Sequence, residues 1–187
     1  MGAAVFDYRR LMAGAANPGD IATLAFGGVL ARFRLAGLDP DTQDRLLARY
    51  FPGVDPAAVT VATEDTGCPA LPADEFEDLF ALLMAHRSED SEETRWLACA
   101  VATACLGNNH LWQDMGLPSR GVLSELLRRY FTTLHDKNTG NMKWKKFFYK
   151  QLCEQAEVML CKAPSCQVCT DYAACFGPED AGPLPAR

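Results

Sequence analysis

Between Trp96 and Leu106 the chain reads Trp-Leu-Ala-Cys-Ala-Val-Ala-Thr-Ala-Cys-Leu, apolar on nearly every side of a helix. A helix without a polar face has to be surrounded by other elements, so this segment is expected to be the central helix of the fold. Ser88 or Ser91 can cap its start, and Gly107 ends it. The uncharged run extends from Trp96 to Gln113, close to membrane length, but Gly107, Asn108, Asn109 and His110 in its second half mark a buried helix followed by a turn. With 187 residues, one domain can enclose such a helix without covalent staples.

The segments around it carry the same helical period. Asn17-Pro18 reads as a cap with proline at the first helical position, followed by Ile21, Leu24, Ala25, Val29 and Leu30 and closed by Gly37. Asp39-Pro40 repeats the signal for a helix with Leu46, Leu47 and Tyr50 that stops before Pro52. Prolines, glycines and the β-branched Val59-Thr60-Val61 predict a surface loop from Phe51 to Pro72 with at most a brief extended piece. From Ala73 the apolar residues Phe76, Leu79, Phe80, Leu83 and Met84 return at helical steps behind an acidic first turn. Ser119 caps a helix with Val122, Leu123, Leu126, Leu127, Tyr130 and Leu134 inward, and Asn141 opens a last helix to about Gln155 after the turn at Asp136 to Gly140. No segment alternates as a sustained strand. The predicted fold class is therefore all-α: a compact multi-helix domain over residues 17–176, with a partly ordered leader or short helix at 1–16 and a flexible Pro- and Gly-rich tail at 177–187.

Eighteen basic against twenty-four acidic residues leave a net charge of −6, which argues against nucleic acid or an anionic membrane surface as a partner. Asp7, Arg9 and Arg10 interrupt what would be the apolar part of a signal peptide, so a cytoplasmic location is expected. The signatures of α/β-hydrolases, P-loops, dinucleotide folds and zinc proteases are absent, and the expectation is a protein that is not an enzyme.

In a reducing compartment eight cysteines read as ligands and buried thiols rather than as a disulfide framework. Four of them, Cys161, Cys166, Cys169 and Cys175, lie within fifteen residues at the spacing C-x4-C-x2-C-x5-C. Four thiolates are the usual complement of a tetrahedral zinc or an iron–sulfur cluster. Structural zinc more often takes two C-x2-C knuckles brought together across a longer loop. A single C-x2-C between two wider gaps favours wrapping a cluster; zinc, disulfides and unliganded thiols are the remaining alternatives. Cys99 and Cys105 are expected to be packing residues of the central helix, and Cys68 has no partner at ligand spacing.

The run Asn141-Met-Lys-Trp-Lys-Lys-Phe-Phe-Tyr-Lys-Gln-Leu-Cys153-Glu, the cysteine loop with Cys175-Phe-Gly-Pro-Glu179, and the upstream His110-Leu-Trp-Gln-Asp-Met-Gly-Leu117 together resemble the NifQ family. The resemblance spans Ser88 to Glu179, and its most specific part is the cysteine spacing behind a lysine- and aromatic-rich helix. It implies a molybdenum-containing iron–sulfur cluster on Cys161, Cys166, Cys169 and Cys175. It also implies a role in nitrogen fixation as a carrier that donates molybdenum for biosynthesis of the nitrogenase iron–molybdenum cofactor. The implied partners are the cofactor-assembly scaffold and the nitrogenase iron protein.

Beside the loop, Cys153 and His110 are the candidates for an additional ligand, each set against an ordinary structural role. Trp144, Phe147, Phe148 and Leu152 form an aromatic and aliphatic core stripe on the last helix. Lys143, Lys146 and Lys150 keep to one flank, with Lys137 and Lys145 nearby and no acidic residue between Lys137 and Lys150. This flank is either a solvated face, a positive surface beside an anionic cluster, or a docking patch for an acidic partner. A structural zinc loop in a protein–protein adaptor that binds through the lysine helix is the alternative function.

Overall fold

The computed structural model describes residues 4–55, 60–62, 73–157, 166, 169, 170 and 172–179. In chain order the elements are β1 (Ala4–Phe6), α1 (Tyr8–Ala13), α2 (Ile21–Leu30), α3 (Pro40–Tyr50), β2 (Thr60–Ala62), α4 (Ala73–Ala85), α5 (Glu92–Cys105), α6 (Leu111–Asp114), α7 (Arg120–Tyr130), α8 (Thr132–Lys137), α9 (Trp144–Gln155) and α10 (Tyr172–Phe176).

The apolar segment is the central helix, α5, and every residue from Trp96 to Cys105 is buried. Of its two candidate caps Ser91 is the one used, its hydroxyl accepting the Thr94 N–H at 3.2 Å. Helices α2, α4 and α6 pack against it. Burial of a residue such as Leu97, which has no exposed surface, contributes about 2 kcal/mol relative to leaving it in water. The one buried hydroxyl on its apolar stretch is also partnered. Thr103 Oγ1 donates to the Cys99 carbonyl at 2.7 Å and accepts the Ala36 N–H at 3.2 Å, tying the connection after α2 to the central helix.

The helical body is the expected one, with a small strand pair added. β1 and β2 join antiparallel in the register Ala4↔Ala62, Val5↔Val61 and Phe6↔Thr60. β2 is the brief extended piece expected around Thr60. In the leader, α1 forms with Leu11 fully buried. The start of α2 differs from the Asn17-Pro18 expectation: Asp20 is its N-cap, because its carboxylate accepts from both Ala22 and Thr23 N–H at 3.1 Å. Asn17 instead closes a turn onto the Asp20 amide. The helix also ends at Leu30, well before Gly37. The Asp39-Pro40 signal is read correctly, with Asp39 Oδ1 accepting the Thr42 N–H at 2.9 Å.

The helix after Ser119 is likewise shorter than expected. Phe131 leaves helical geometry at ψ 51°, and Leu134 is buried from the separate α8. α2 meets the α6–α7 connection at a backbone-to-backbone contact: a Cβ at Gly28 would lie 2.0 Å from the Met115 carbonyl oxygen, so only glycine permits this approach. Among the described residues no helix is long and apolar enough to cross a membrane.

Candidate functional site

The site is organised by the turn between α8 and α9. Asn138 braces it from both sides, its Oδ1 accepting the Met142 N–H at 2.8 Å and its Nδ2 donating to the Met142 carbonyl at 2.9 Å. Asn141 takes a left-handed conformation at φ 55°, which asparagine tolerates better than most residues. It therefore does not open the last helix as the sequence suggested; α9 starts at Trp144 with Lys143 as its cap residue. Arg120 Nη2 grips the turn by donating to the Asn141 and Met142 carbonyls at 3.0 and 2.8 Å. The aromatic stripe is core as expected, with Trp144, Phe147 and Phe148 buried. Trp144 Nε1 donates to Ser124 Oγ at 3.2 Å, and its ring stacks on His135.

The cysteine segment docks against this turn. The Lys143 N–H donates to the Cys175 carbonyl at 2.8 Å, and Lys143 Nζ reaches the Ala173 carbonyl at 3.4 Å. Glu179, with its side chain only 5% exposed, pairs with Arg120 Nη1 at 3.2 Å and lies 3.9 Å from His110 Nδ1. One arginine thus holds both the turn before α9 and the end of the cysteine segment. Within the segment, the Cys169 N–H donates to the Cys166 carbonyl at 3.4 Å and the Tyr172 N–H to the Cys169 carbonyl at 3.3 Å.

Cys166, Cys169 and Cys175 are half-buried, and Cys166 and Cys175 pack at the edge of the core. Cys161 lies outside the described residues, as does Cys68. Among the described residues no three His, Cys, Asp or Glu side chains converge as a metal-ion site. The donor chemistry of the segment nevertheless fits a soft metal: half-buried thiols at the edge of the fold, two of them just before α10 and Cys175 on it. The cysteines of α5 have the opposite setting. Burial pushes both Cys99 and Cys105 up to about 12, so they stay protonated and serve as packing groups.

The remaining candidates separate as follows. His110 caps the start of α6, its N–H donating to Gln113 Oε1 at 3.1 Å, and its imidazole faces Glu179. Cys153 is half-buried on α9 and belongs to no group of three or more His, Cys, Asp or Glu side chains among the described residues that could hold a metal ion. Lys150 pairs with Glu154 at 3.4 Å along α9. Lys145, grouped by sequence with the lysine flank, is instead drawn inward. Its Nζ contacts Asp114 Oδ2 at 2.5 Å and the Gly107 carbonyl at 2.7 Å, with side-chain exposures of 16% for Lys145 and 3% for Asp114. Asn109 completes the coordination of that carboxylate through its N–H and its Nδ2 at 3.0 and 2.9 Å. Gly107 is required here, since a Cβ would lie 2.5 Å from Asp114 Oδ2.

Lys143 and Lys146 line a cleft of about 360 Å³ with Asn108, His110, Gln113 and Glu179. Sequence reasoning did not single out Asp114, Arg120 or Glu179. Asp114 was nevertheless visible as the first acid after the long uncharged run, and Glu179 as the last residue of the stretch that carries the resemblance.

A protein-family profile described as NifQ matches residues 20–177. The chain is 51% identical over 106 residues to "Protein NifQ" of Azotobacter vinelandii, covering 57% of this chain and 54% of that protein. It is 37% identical over 153 residues to "Protein NifQ" of Rhodobacter capsulatus, covering 82% of this chain and 80% of that one. With "Protein NifQ" of Klebsiella pneumoniae it shares 42% identity over 112 residues, 52% of this chain and 66% of that protein. The matched stretch is thus about half the length of the Azotobacter relative. No solved structure matches the chain.

Proposed function

Since the chain belongs to the NifQ family of nitrogen-fixation proteins, we propose that it carries a molybdenum-containing iron–sulfur cluster and donates molybdenum for assembly of the nitrogenase iron–molybdenum cofactor. Cys161, Cys166, Cys169 and Cys175 hold the cluster in this reading. Bound there, it supplies a soft, redox-active store for the metal. The observation that carries the reading is the contrast between thiol environments: Cys166 and Cys169 in the segment before α10 and Cys175 on α10 are all half-buried, within reach of a metal, while the thiols of α5 are sealed.

The chain's own part is to position and release. Arg120 and Lys143 fasten the cysteine segment to the body by a few polar ties at Glu179, Cys175 and Ala173. Such ties fix the segment's place and leave one side of it open, which a donor of metal requires. His110 and Cys153 are supplementary ligands at most, since His110 already has a carboxylate beside it and Cys153 lies on the regular helix α9. The protein acts as a cytoplasmic carrier rather than an enzyme. Its receivers are the cofactor-assembly scaffold and the iron protein, approached through the lysine-bearing side of α9.

Anaerobic purification followed by metal and sulfide analysis tests this. Brown protein with iron, acid-labile sulfide and molybdenum is expected, bleaching in air and lost in Cys166→Ala with Cys169→Ala. Colourless protein with one zinc and no sulfide would reject the carrier reading in favour of a structural zinc loop in an adaptor.

A further inference from the structure

We propose that the cleft between α6 and the start of α9 is a binding site for a small tetrahedral oxyanion. It is formed by the Asn108 to Gln113 stretch on one side and Lys143 to Lys146 on the other, with Ala174 and Glu179 closing one end.

The charge balance inside the cleft decides the sign of its ligand. Glu179 is already matched by Arg120 at 3.2 Å, and Lys145 by Asp114 at 2.5 Å. Lys143 and Lys146 remain: among the described residues no carboxylate lies within 4 Å of either ammonium group, and Lys146 is exposed. Two uncompensated cations therefore face a polar cleft in a chain whose net charge is −6. That local inversion of sign favours an anion and disfavours a metal cation.

Backbone geometry adds to the same preference. α9 is a twelve-residue helix with no side chain capping its N-terminus, and that end, Trp144 to Lys146, is part of the lining. Its first amides point out of the helix without an intrahelical acceptor, where the helix dipole is positive. The amides of Asn108 and Gln113 supply further neutral donors, although Gln113 Oε1 is engaged by the His110 N–H. Ammonium groups, carboxamides and free helix amides together form the donor set that holds sulfate, phosphate and related oxyanions. The fixed pairs do not compete for such a ligand. They keep Lys145 and Glu179 in place, so the cleft stays open around Lys143 and Lys146.

The location gives the site a consequence. Lys143 touches the cysteine segment through both its amide and its ammonium group, at the Cys175 and Ala173 carbonyls. An oxyanion held by Lys143 therefore lies beside the segment that carries the proposed cluster ligand Cys175. This link to metal supply rests on the carrier reading; the anion site itself rests only on the cleft.

The test uses the metal-free 187-residue chain, titrated separately with sulfate, phosphate and molybdate against a constant chloride background. Binding is followed by calorimetry and by amide shifts of Trp144 to Lys146. Saturable binding of at least one of the three is expected, weakened about tenfold by Lys146→Ala, the size expected for one charge-assisted hydrogen bond. Lys150→Ala, on the same helix but paired with Glu154, is expected to leave affinity within twofold. The order of the three affinities distinguishes sulfate, phosphate and molybdate as occupants of the cleft. Absence of saturable binding, or equal weakening by Lys150→Ala and Lys146→Ala, would overturn the site and leave only diffuse attraction to a basic helix. Because no cluster is present in this titration, its outcome is separate from the metal analysis that decides the carrier reading.

Discussion

The cysteines of α5 and those of the C-terminal segment are the same functional group in opposite surroundings. Cys99 and Cys105 sit on a helix wrapped by α2, α4 and α6, and each is only 3% exposed. Cys166 and Cys169, in the short segment before α10, and Cys175, on α10 itself, are half-buried at the edge of the body. The difference shows that cysteine chemistry in this chain is set by burial rather than by count. Apolar surroundings hold a thiol protonated, and only an edge leaves it free to become a ligand.

The largest effect expected from this contrast is in thiol reactivity. In the metal-free folded protein at pH 8, Cys99 and Cys105 should alkylate about 1,000-fold more slowly than in the unfolded chain, from thiolate populations alone. Cys166, Cys169 and Cys175 should react readily in the folded state. Mass spectrometry of a labelling time course reads both, and fast native-state labelling of Cys99 would break the contrast. The same burial has a pH signature. Both thiols are raised in the folded state from an ordinary 9 to about 12. Their contribution to stability is therefore complete below pH 9 and is lost as pH rises from about 9 towards 12. Cys99→Ala with Cys105→Ala should flatten that part of the alkaline stability profile.

Next in size is packing. Leu97→Ala, at a fully buried position of α5, should lower the unfolding free energy by about 3 kcal/mol. Cys166→Ala with Cys169→Ala, measured without metal, should lower it by less than about 0.5 kcal/mol. Urea denaturation of both variants checks the pair. Equal losses would show that the cysteine segment belongs to the cooperative core.

At the seam between the two regions, Lys145→Ala leaves Asp114 buried with only Asn109 as its partner. A loss of about 2 kcal/mol is expected, below the range for a fully buried pair because Lys145 keeps some contact with water. A stability change within error would mean that Asn109 alone satisfies the carboxylate. The smallest effect concerns the ties of the segment. Glu179→Gln weakens the Arg120 pair by about 1 kcal/mol, which should reduce hydrogen-exchange protection of the Lys143 amide roughly fivefold. Unchanged protection would place the hold on the segment elsewhere.

Much of the body was legible because its signals are local. The apolar stretch at Trp96, the Asp39-Pro40 cap, the acidic first turn of α4 and the aromatic stripe of α9 each state their structure within a few residues. Two local readings went astray where signals competed. Asn17-Pro18 looked like a cap, but Asp20 satisfies two amides at once and wins. Asn141 looked like a helix start, but the brace from Asn138 and the grip of Arg120 hold it in a left-handed turn. The site was legible in part. His110, the lysines and the cysteine segment were all marked by sequence, and the structure brings His110, Lys143 and Lys146 around one cleft.

By itself the sequence determined the family, the helical class, the central helix and the residue types available to bind a metal, because period, capping and cysteine spacing are written in consecutive residues. Tertiary structure alone decided which charges are free. Lys143, Lys145, Lys146 and Lys150 read as one basic flank in the chain. Folding sends Lys145 inward to Asp114, joins Lys150 to Glu154, and leaves Lys143 and Lys146 facing the cleft. The physical reason is that a charge is neutralised by whatever lies within a few ångströms in space, and Asp114 is thirty-one residues away from Lys145 in sequence.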